Sequence, residues 1–399
     1  MSVVILIRSF FVTPAVFKTQ KSPVKQVTLL YAFGLKLFRR RYKPERLVNK
    51  IAILASEVFI NHLETLFPLL NNDEYVFVVF FRNEEHERFL RTKNTEIFSI
   101  AECVEQKIYF KLLAVNFYPQ LFYFPFADNS NLINFIAKEK LRLITNNFEI
   151  VMRKSYCALF DYVICCGNYY RKILEAHNIP RQKIYCYGAI RRNELTAPPT
   201  EAQKMNFRIE YGGYADKKTV LWIPAHSMLS TIYSHREMLA TLGDRYNIFL
   251  KPHPGFELQE CEAYIHEKLP RCVVLEKKVE SVKLLPYADF VISDYGGTPL
   301  TVLMADVNMV LFNIYADFDL KDTMGPNAAN FDIYLRKYIV NFNPDEGGRL
   351  LAALEDESVW LEQKQIRNQL IAEFFADNPN APQDAVNLMR HIMRDAEHP

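Results

Sequence analysis

From Lys50 onward, short apolar runs alternate with stretches whose apolar positions recur at helical spacing. Lys50–Ala55, Tyr75–Phe80, Leu121–Phe126, Asp161–Cys166 and Lys183–Tyr187 are compact and rich in β-branched and aromatic residues, which predicts buried strands. Between them lie an amphipathic stretch Glu57–Leu70, a charged helix Glu84–Arg91, a long helix-like segment Leu132–Lys154 and a helix Tyr169–His177. Strands alternating with helices imply right-handed βαβ units on a parallel sheet. The rhythm breaks at Leu195–Asn206, where Ala197-Pro198-Pro199-Thr200 opens a polar linker. A second strand series comes after it: Thr219–Ile223, Asn247–Leu250, Cys272–Leu275, Phe290–Ser293, Met309–Phe312 and Tyr338–Val340. Ser358–Arg394 reads as helix. The expected architecture is α/β, with two Rossmann-like doubly wound domains facing a cleft. They span residues 49–196 and 207–355, with an extension at 1–48 and a helical segment at 356–399.

Composition adds little until it is resolved along the chain. The 399 residues carry 48 Lys+Arg against 46 Asp+Glu, a net charge of +2. Residues 1–50 hold eleven of those bases and one acid (+10), leaving 37 bases against 45 acids (−8) for the rest. Within that basic stretch Val27–Phe38 is apolar and aromatic, and Arg39-Arg40-Arg41-Tyr42-Lys43 comes directly after it. This pattern suits an anionic membrane surface, and it equally suits a helix packed on the first domain with a solvated basic end. No recognised nucleic-acid-binding motif accompanies the patch, so nucleic acid is not an expected partner. Arg8 interrupts the apolar Met1–Val12 and no small-residue cleavage site follows, so no secretory signal is expected. No apolar run reaches the length of a spanning helix. The seven cysteines lack Cys-x-x-Cys spacing and sit mostly in apolar runs, which predicts reduced buried thiols in a cytoplasmic protein.

In doubly wound folds ligands bind beyond the carboxyl ends of strands, and three strand exits in the second half carry distinctive residues. Asn247–Leu250 runs into Lys251-Pro252-His253-Pro254, where two prolines hold one imidazole on a stiff backbone. Phe290–Ser293 runs into Asp294-Tyr295-Gly296-Gly297-Thr298-Pro299, with Thr298 expected as helix N-cap and Pro299 at the first helical position. The chain has only 12 glycines, so two in succession here point to close approach of a ligand, with anion-binding N–H groups behind them. Val220–Ile223 runs into Pro224-Ala225-His226-Ser227, two side chains able to donate to phosphate oxygens. In the first domain, Tyr187–Asn193 presents Arg191 and Arg192, a candidate phosphate clamp. Each motif alone also fits a surface turn; together they point to phosphate chemistry. No His/Asp/Glu set has metal-ligand spacing, Asp317, Asp319 and Asp322 being an acidic loop, so neither metal nor cofactor is expected.

Val220–Ser227, Lys251–Pro254 and Val291–Leu300, with Phe160–Asn168 and Tyr187–Leu195, resemble the CDP-glycerol glycerophosphotransferase family of teichoic-acid and capsule polymer synthesis. The resemblance implies a GT-B fold and transfer of glycerol phosphate, or ribitol phosphate, from a CDP-alditol to a hydroxyl of a lipid-linked or oligosaccharide acceptor, with release of CMP. It places the enzyme in the cytoplasm, peripheral on the inner face of the bacterial membrane. His253 would bind or polarise the diphosphate. Lys251, Ser293, Asp294, Gly296, Gly297, Thr298, His226, Ser227, Arg191 and Arg192 would hold the donor. The chain departs from the family pattern in three places. Gly296-Gly297 replaces two serines, Ala225-His226-Ser227 follows Pro224 where the family has Thr-x-Arg, and the His-Gly element of the first domain is absent. Its nearest counterpart, Gln120–Asn129, has no histidine, leaving Asp128 as first choice of general base with Glu57 and His62 behind it. Two other readings stay open: a capsule glycosyltransferase using a CMP- or UDP-sugar, and a non-catalytic binding subunit of a capsule complex.

Overall fold

The computed structural model describes residues 44–55, 60–80, 82–94, 96–116, 137–143, 157, 160–176, 178–195, 198–225, 230–253, 258–276, 279–314 and 334–395. These form two compact units, one from residues up to 191 together with 376–395, the other from 192–375.

The first unit is built on β1 (Arg46–Leu54), β2 (Tyr75–Val79), β3 (Ile97–Ser99), β4 (Ile108–Val115), β5 (Ala137–Leu143), β6 (Tyr162–Cys165) and β7 (Ile184–Cys186). All pairings are parallel and the order is β3-β2-β1-β4-β5-β6-β7. β2 is buried at every position because both faces of a parallel sheet are covered, which is why such strands read as continuous apolar runs. Its helices include α1 (Glu84–Arg91), whose N-cap Asn83 accepts from the Glu85 and His86 amides, α2 (Ile100–Glu105), started by a Ser99/Glu102 capping box, and α3 (Asn168–Ala176).

The second unit begins with α4 (Glu201–Glu210), started by a Thr200/Gln203 capping box, so the expected linker already ends inside this helix. Its sheet has the order β10-β9-β8-β11-β12-β13, again all parallel. The strands are β8 (Lys218–Ile223), β9 (Tyr246–Leu250), β10 (Val273–Val274), β11 (Phe290–Ser293), β12 (Met309–Phe312) and β13 (Asn341–Phe342). Around it lie α5 (Ile232–Ala240), α6 (Leu258–Lys268), α7 (Thr298–Met304), α8 (Gly347–Glu355) and α9 (Glu357–Phe374). Trp222, Phe290, Phe312, Leu239, Ile265, Leu350 and Trp360 belong to one core. The last helix, α10 (Ala381–Asp395), returns to the first unit, where Ala385, Val386, Met389 and Ile392 pack with Ile51, Phe77 and Leu141. Arg390 clasps Glu74 with two 2.7 Å bonds.

Four sequence expectations change. Residues 137–143 lie within the expected helix Leu132–Lys154 but form β5, because pairing with β4 and β6 overrides the helix propensity of AKEKLRL. β1 starts at Arg46, inside the expected extension: Arg46–Val48 pair with Ile108–Phe110 of β4, a strand for which the sequence pattern gave no signal. The last strand is Asn341–Phe342 rather than Tyr338–Val340. Ser358–Arg394 is two helices, broken near Asn378-Pro379 and divided between the units. Leu121–Phe126 lies outside the described residues. The cysteines meet the expectation of free thiols where described: Cys103, Cys157, Cys165, Cys166 and Cys272 are buried and Cys186 is half-buried.

One polar node anchors α4 beneath the second sheet. Asp289 accepts from the Thr219 amide at 2.7 Å, Arg208 Nη2 at 3.2 Å and Lys204 Nζ at 3.3 Å, while Arg208 Nη1 donates to Ala215 O at 3.0 Å. Arg208 is buried, so removing its carboxylate leaves a desolvated cation. Asp289→Ala is expected to lower the unfolding free energy by about 3 kcal/mol, and Asp289→Asn by less, because one acceptor remains. Urea unfolding followed by tryptophan fluorescence measures this in the right place: the chain's two tryptophans, Trp222 and Trp360, both lie in this unit's core.

Candidate functional site at the strand ends of the second unit

The order of the second sheet reverses between the parallel neighbours β8 and β11: successive strands are added outward from β8 on one side and from β11 on the other. Such a switch point opens a crevice beyond the carboxyl ends of the two strands. The chain leaving β11 is there held to the chain leaving β8 by the side chain of Asp294. Asp294 is fully buried, and its Oδ2 accepts from the amides of Ala225 and Thr231, both at 2.9 Å. Its Oδ1 accepts from the Thr231 hydroxyl. Burial raises its pKa to about 6 against the pull of these donors and of Arg336, which lower it. One strand residue earlier, Ser293 is equally buried and its hydroxyl donates to Ile223 O at 3.2 Å.

Beyond Asp294 the turn depends on glycine. Gly296 has φ +106°, a conformation that a side chain would strain. Gly297 (φ −77°) is the N-cap of α7, and Thr298 is already helical, with Pro299 behind it. The expected Thr298 cap is therefore displaced by one residue, because Gly297 itself adopts helical dihedrals. No side-chain hydrogen bond caps this end.

At the neighbouring exit of β9, the Lys251 amide donates to Trp222 O at 2.8 Å, which seats the Lys-Pro-His segment against β8. The Lys251 side chain is buried and its Nζ donates to Pro252 O at 3.0 Å, whereas His253 is half-buried. On the other side, Arg336 lies against the β11 and β12 exits: Nη2 donates to Asp294 O (3.1 Å) and Phe312 O (2.8 Å), and Nε donates to Asn313 Oδ1 (3.0 Å). Asn313 continues the chain of contacts by donating to Asn341 Oδ1 at 2.9 Å. Thr231, Asn313 and Arg336 carried no sequence signal. They lie outside every motif and become relevant only through sheet order.

The sheet thus brings Lys251, His253, Ser293, Asp294, Gly296, Gly297 and Thr298 to the same edge of the second unit. Arg191 and Arg192 are divided: Arg191 is buried in the first unit and Arg192 starts the second. Burial, and after it the charge of Arg191, lowers the pKa of His62 to about 3, so this imidazole is neutral at ordinary pH. Asp128, Glu57, His226, Ser227, the loop Asp317–Asp322 and residues 1–43 lie outside the described residues. Among the described residues no cluster of His, Cys, Asp and Glu could hold a metal ion, and no helix is long and apolar enough to cross a membrane.

Residues 135–299, from the start of β5 to the first turn of α7, match the family model of CDP-Glycerol:Poly(glycerophosphate) glycerophosphotransferase, so the resemblance carried by the motifs is borne out. No curated protein sequence matches the chain. Among solved structures, the wall teichoic acid polymerase TagF superposes with a TM-score of 0.62 at 14% identity, covering 94% of this chain and 99% of that one. A TagF variant soaked with CDPG gives 0.60 at 13%, covering 96% and 100%. Anabaena HepE in complex with UDP-glucose gives 0.54 at 11%, covering 86% and 99%. At these identities the likeness is one of fold: α/β, of the GT-B class, with two Rossmann-like units.

The buried carboxyl yields a pH test. A folded-state pKa raised from 3.8 to about 6 means that Asp294 contributes most to stability when protonated, below pH 3.8, and that this contribution is lost as pH rises through about 6. Relative to Asp294→Asn, the wild type should therefore lose about 3 kcal/mol between pH 3.8 and 7. Parallel urea titrations of the two proteins across that range measure the difference.

Proposed function

From the family match across residues 135–299, we propose that the protein is a transferase that moves glycerol phosphate, or ribitol phosphate, from a CDP-alditol to a hydroxyl of a cell-surface glycan acceptor. The observation that carries this reading is the strand-end edge of the second unit. There a proline-bracketed His253 leaves β9, with β8 between it and the glycine turn that leads from β11 into a helix start without a side-chain cap. Phosphoryl-type transfer needs donors around the phosphate oxygens, a positioned hydroxyl and a proton acceptor more than it needs covalent chemistry from the protein. The N–H groups at Gly296, Gly297 and Thr298, with the Thr298 hydroxyl, would hold the diphosphate. His253 would donate to the bridging or leaving oxygen, with Lys251 behind it. Ser293 and Asp294, whose polar atoms bond within the protein, would shape this cradle. His226, Ser227, Arg191 and Arg192 remain proposed donor contacts.

The acceptor oxygen attacks the alditol-bearing phosphorus, the bond to the CMP oxygen breaks, and CMP leaves. The hydroxyl proton passes to a base, for which Asp128 is the first choice. Glu57 and His62 stand behind it, and a pKa of about 3 makes the His62 imidazole a poor proton acceptor. The basic segment that ends before β1 would hold the enzyme to an anionic membrane carrying a lipid-linked acceptor, on the cytoplasmic side.

Incubation with CDP-glycerol, CDP-ribitol, CMP-sugars and UDP-sugars should give acceptor-dependent CMP release from a CDP-alditol alone. Release of nucleotide from a sugar donor only would favour the glycosyltransferase reading, and no release from any donor the binding-subunit reading. His253→Ala should lower turnover by about a hundredfold or more without changing the urea midpoint; full activity would remove His253 from the site. Turnover should persist in EDTA, and loss reversed by Mg²⁺ would count against a metal-free reaction. Deleting residues 1–43, which stops short of β1, should abolish cosedimentation with anionic vesicles while leaving CMP release to a soluble acceptor intact.

A further inference from the structure

We infer that Arg336 is a positioning residue that holds the turn Asp294–Gly297 in the shape that receives the donor's diphosphate; the inference rests on the proposed donor site. Its guanidinium does two things that no other described side chain at this edge does together. It donates to Asp294 O and Phe312 O, at 3.1 and 2.8 Å, binding the exits of β11 and β12 to each other. It also lies on the Tyr295 ring, with Cζ 3.6 Å from the ring centroid. Asn313 Oδ1 accepts from Nε at 3.0 Å and sets the rotation of the plane. Residues 294 and 295 are thus held by carbonyl and by ring, and both are buried.

The strained part of the turn comes next in the chain. Gly296 at φ +106° has no side chain with which to resist reorientation, and no side chain caps α7 at Gly297. The N–H groups of residues 296–298 follow directly on residues 294 and 295, and that is the segment Arg336 clamps. The Asp294 carboxylate fixes the same residue toward β8, so the turn is held from both sides: by an anion toward one neighbouring strand and by a cation toward the other. Lysine cannot reproduce this, because an ammonium has neither the fork nor the plane for stacking.

The test uses the full chain as wild type, Arg336→Lys and Arg336→Ala, with two measurements. Without donor, amide hydrogen exchange of residues 295–301 should accelerate about tenfold or more in both variants, while the amides of β9 keep their wild-type protection. With CDP-glycerol or CDP-ribitol, whichever the wild type uses, donor KM should rise about tenfold, with acceptor KM unchanged. A purely structural role would lower the melting temperature without separating the two KM values. Unchanged exchange in the turn overturns the inference, and so does a loosened turn with wild-type donor KM. If the wild type uses no CDP-alditol and yet the turn loosens in the variants, the donor reading fails while the positioning role stands. Should Arg336→Ala not fold, Arg336→Lys carries both measurements.

Discussion

The second unit depends on one carboxylate placed where water does not reach. In the strand order seen here the chains leaving the paired strands β8 and β11 part beyond their carboxyl ends, and they must be joined there. Asp294 makes that joint by accepting three hydrogen bonds, and its burial there raises its pKa to about 6. An apolar residue would satisfy neither the Ala225 nor the Thr231 amide, and leaving buried amides without acceptors is strongly destabilising. The acid thus ties down the residue that precedes the Tyr295-Gly296-Gly297 turn.

The same logic accounts for the glycines. A chain with 12 glycines in 399 residues places two of them at one strand exit. Only the first has a positive φ; the second begins α7 with its N–H groups uncapped. Where the family pattern has hydroxyl side chains, this chain presents backbone, which carries no rotamer freedom.

Much of this was legible beforehand, for identifiable reasons. β2, β6, β8, β9, β11 and β12 are covered on both faces, and their unbroken apolar runs announce them. The strand-exit motifs could be placed because strand ends are where such folds put ligands. β5 could not be read: Ala137–Leu143 carries Lys138, Glu139, Lys140 and Arg142, a helix former's composition that only its neighbours turn into a strand. β4 has a lysine in its middle, and β3 is three residues long. Thr298 as N-cap was off by one because glycine can start a helix without a capping side chain. Arg336 was invisible for a different reason: its partners are backbone carbonyls and a ring far away in sequence, and no local pattern encodes that.

The return of α10 to the first unit has a consequence for how the protein is made. The β1 and β2 face against which Ala385, Val386 and Met389 pack is synthesised early, and its cover is synthesised after the whole second unit. During translation that apolar face waits uncovered while the second unit, continuous in sequence from Arg192 to Phe375, has all its parts. Long-range closure of this kind is slow, and the surface exposed meanwhile favours association with other chains. The second unit can thus have all of its segments while the first still awaits α10.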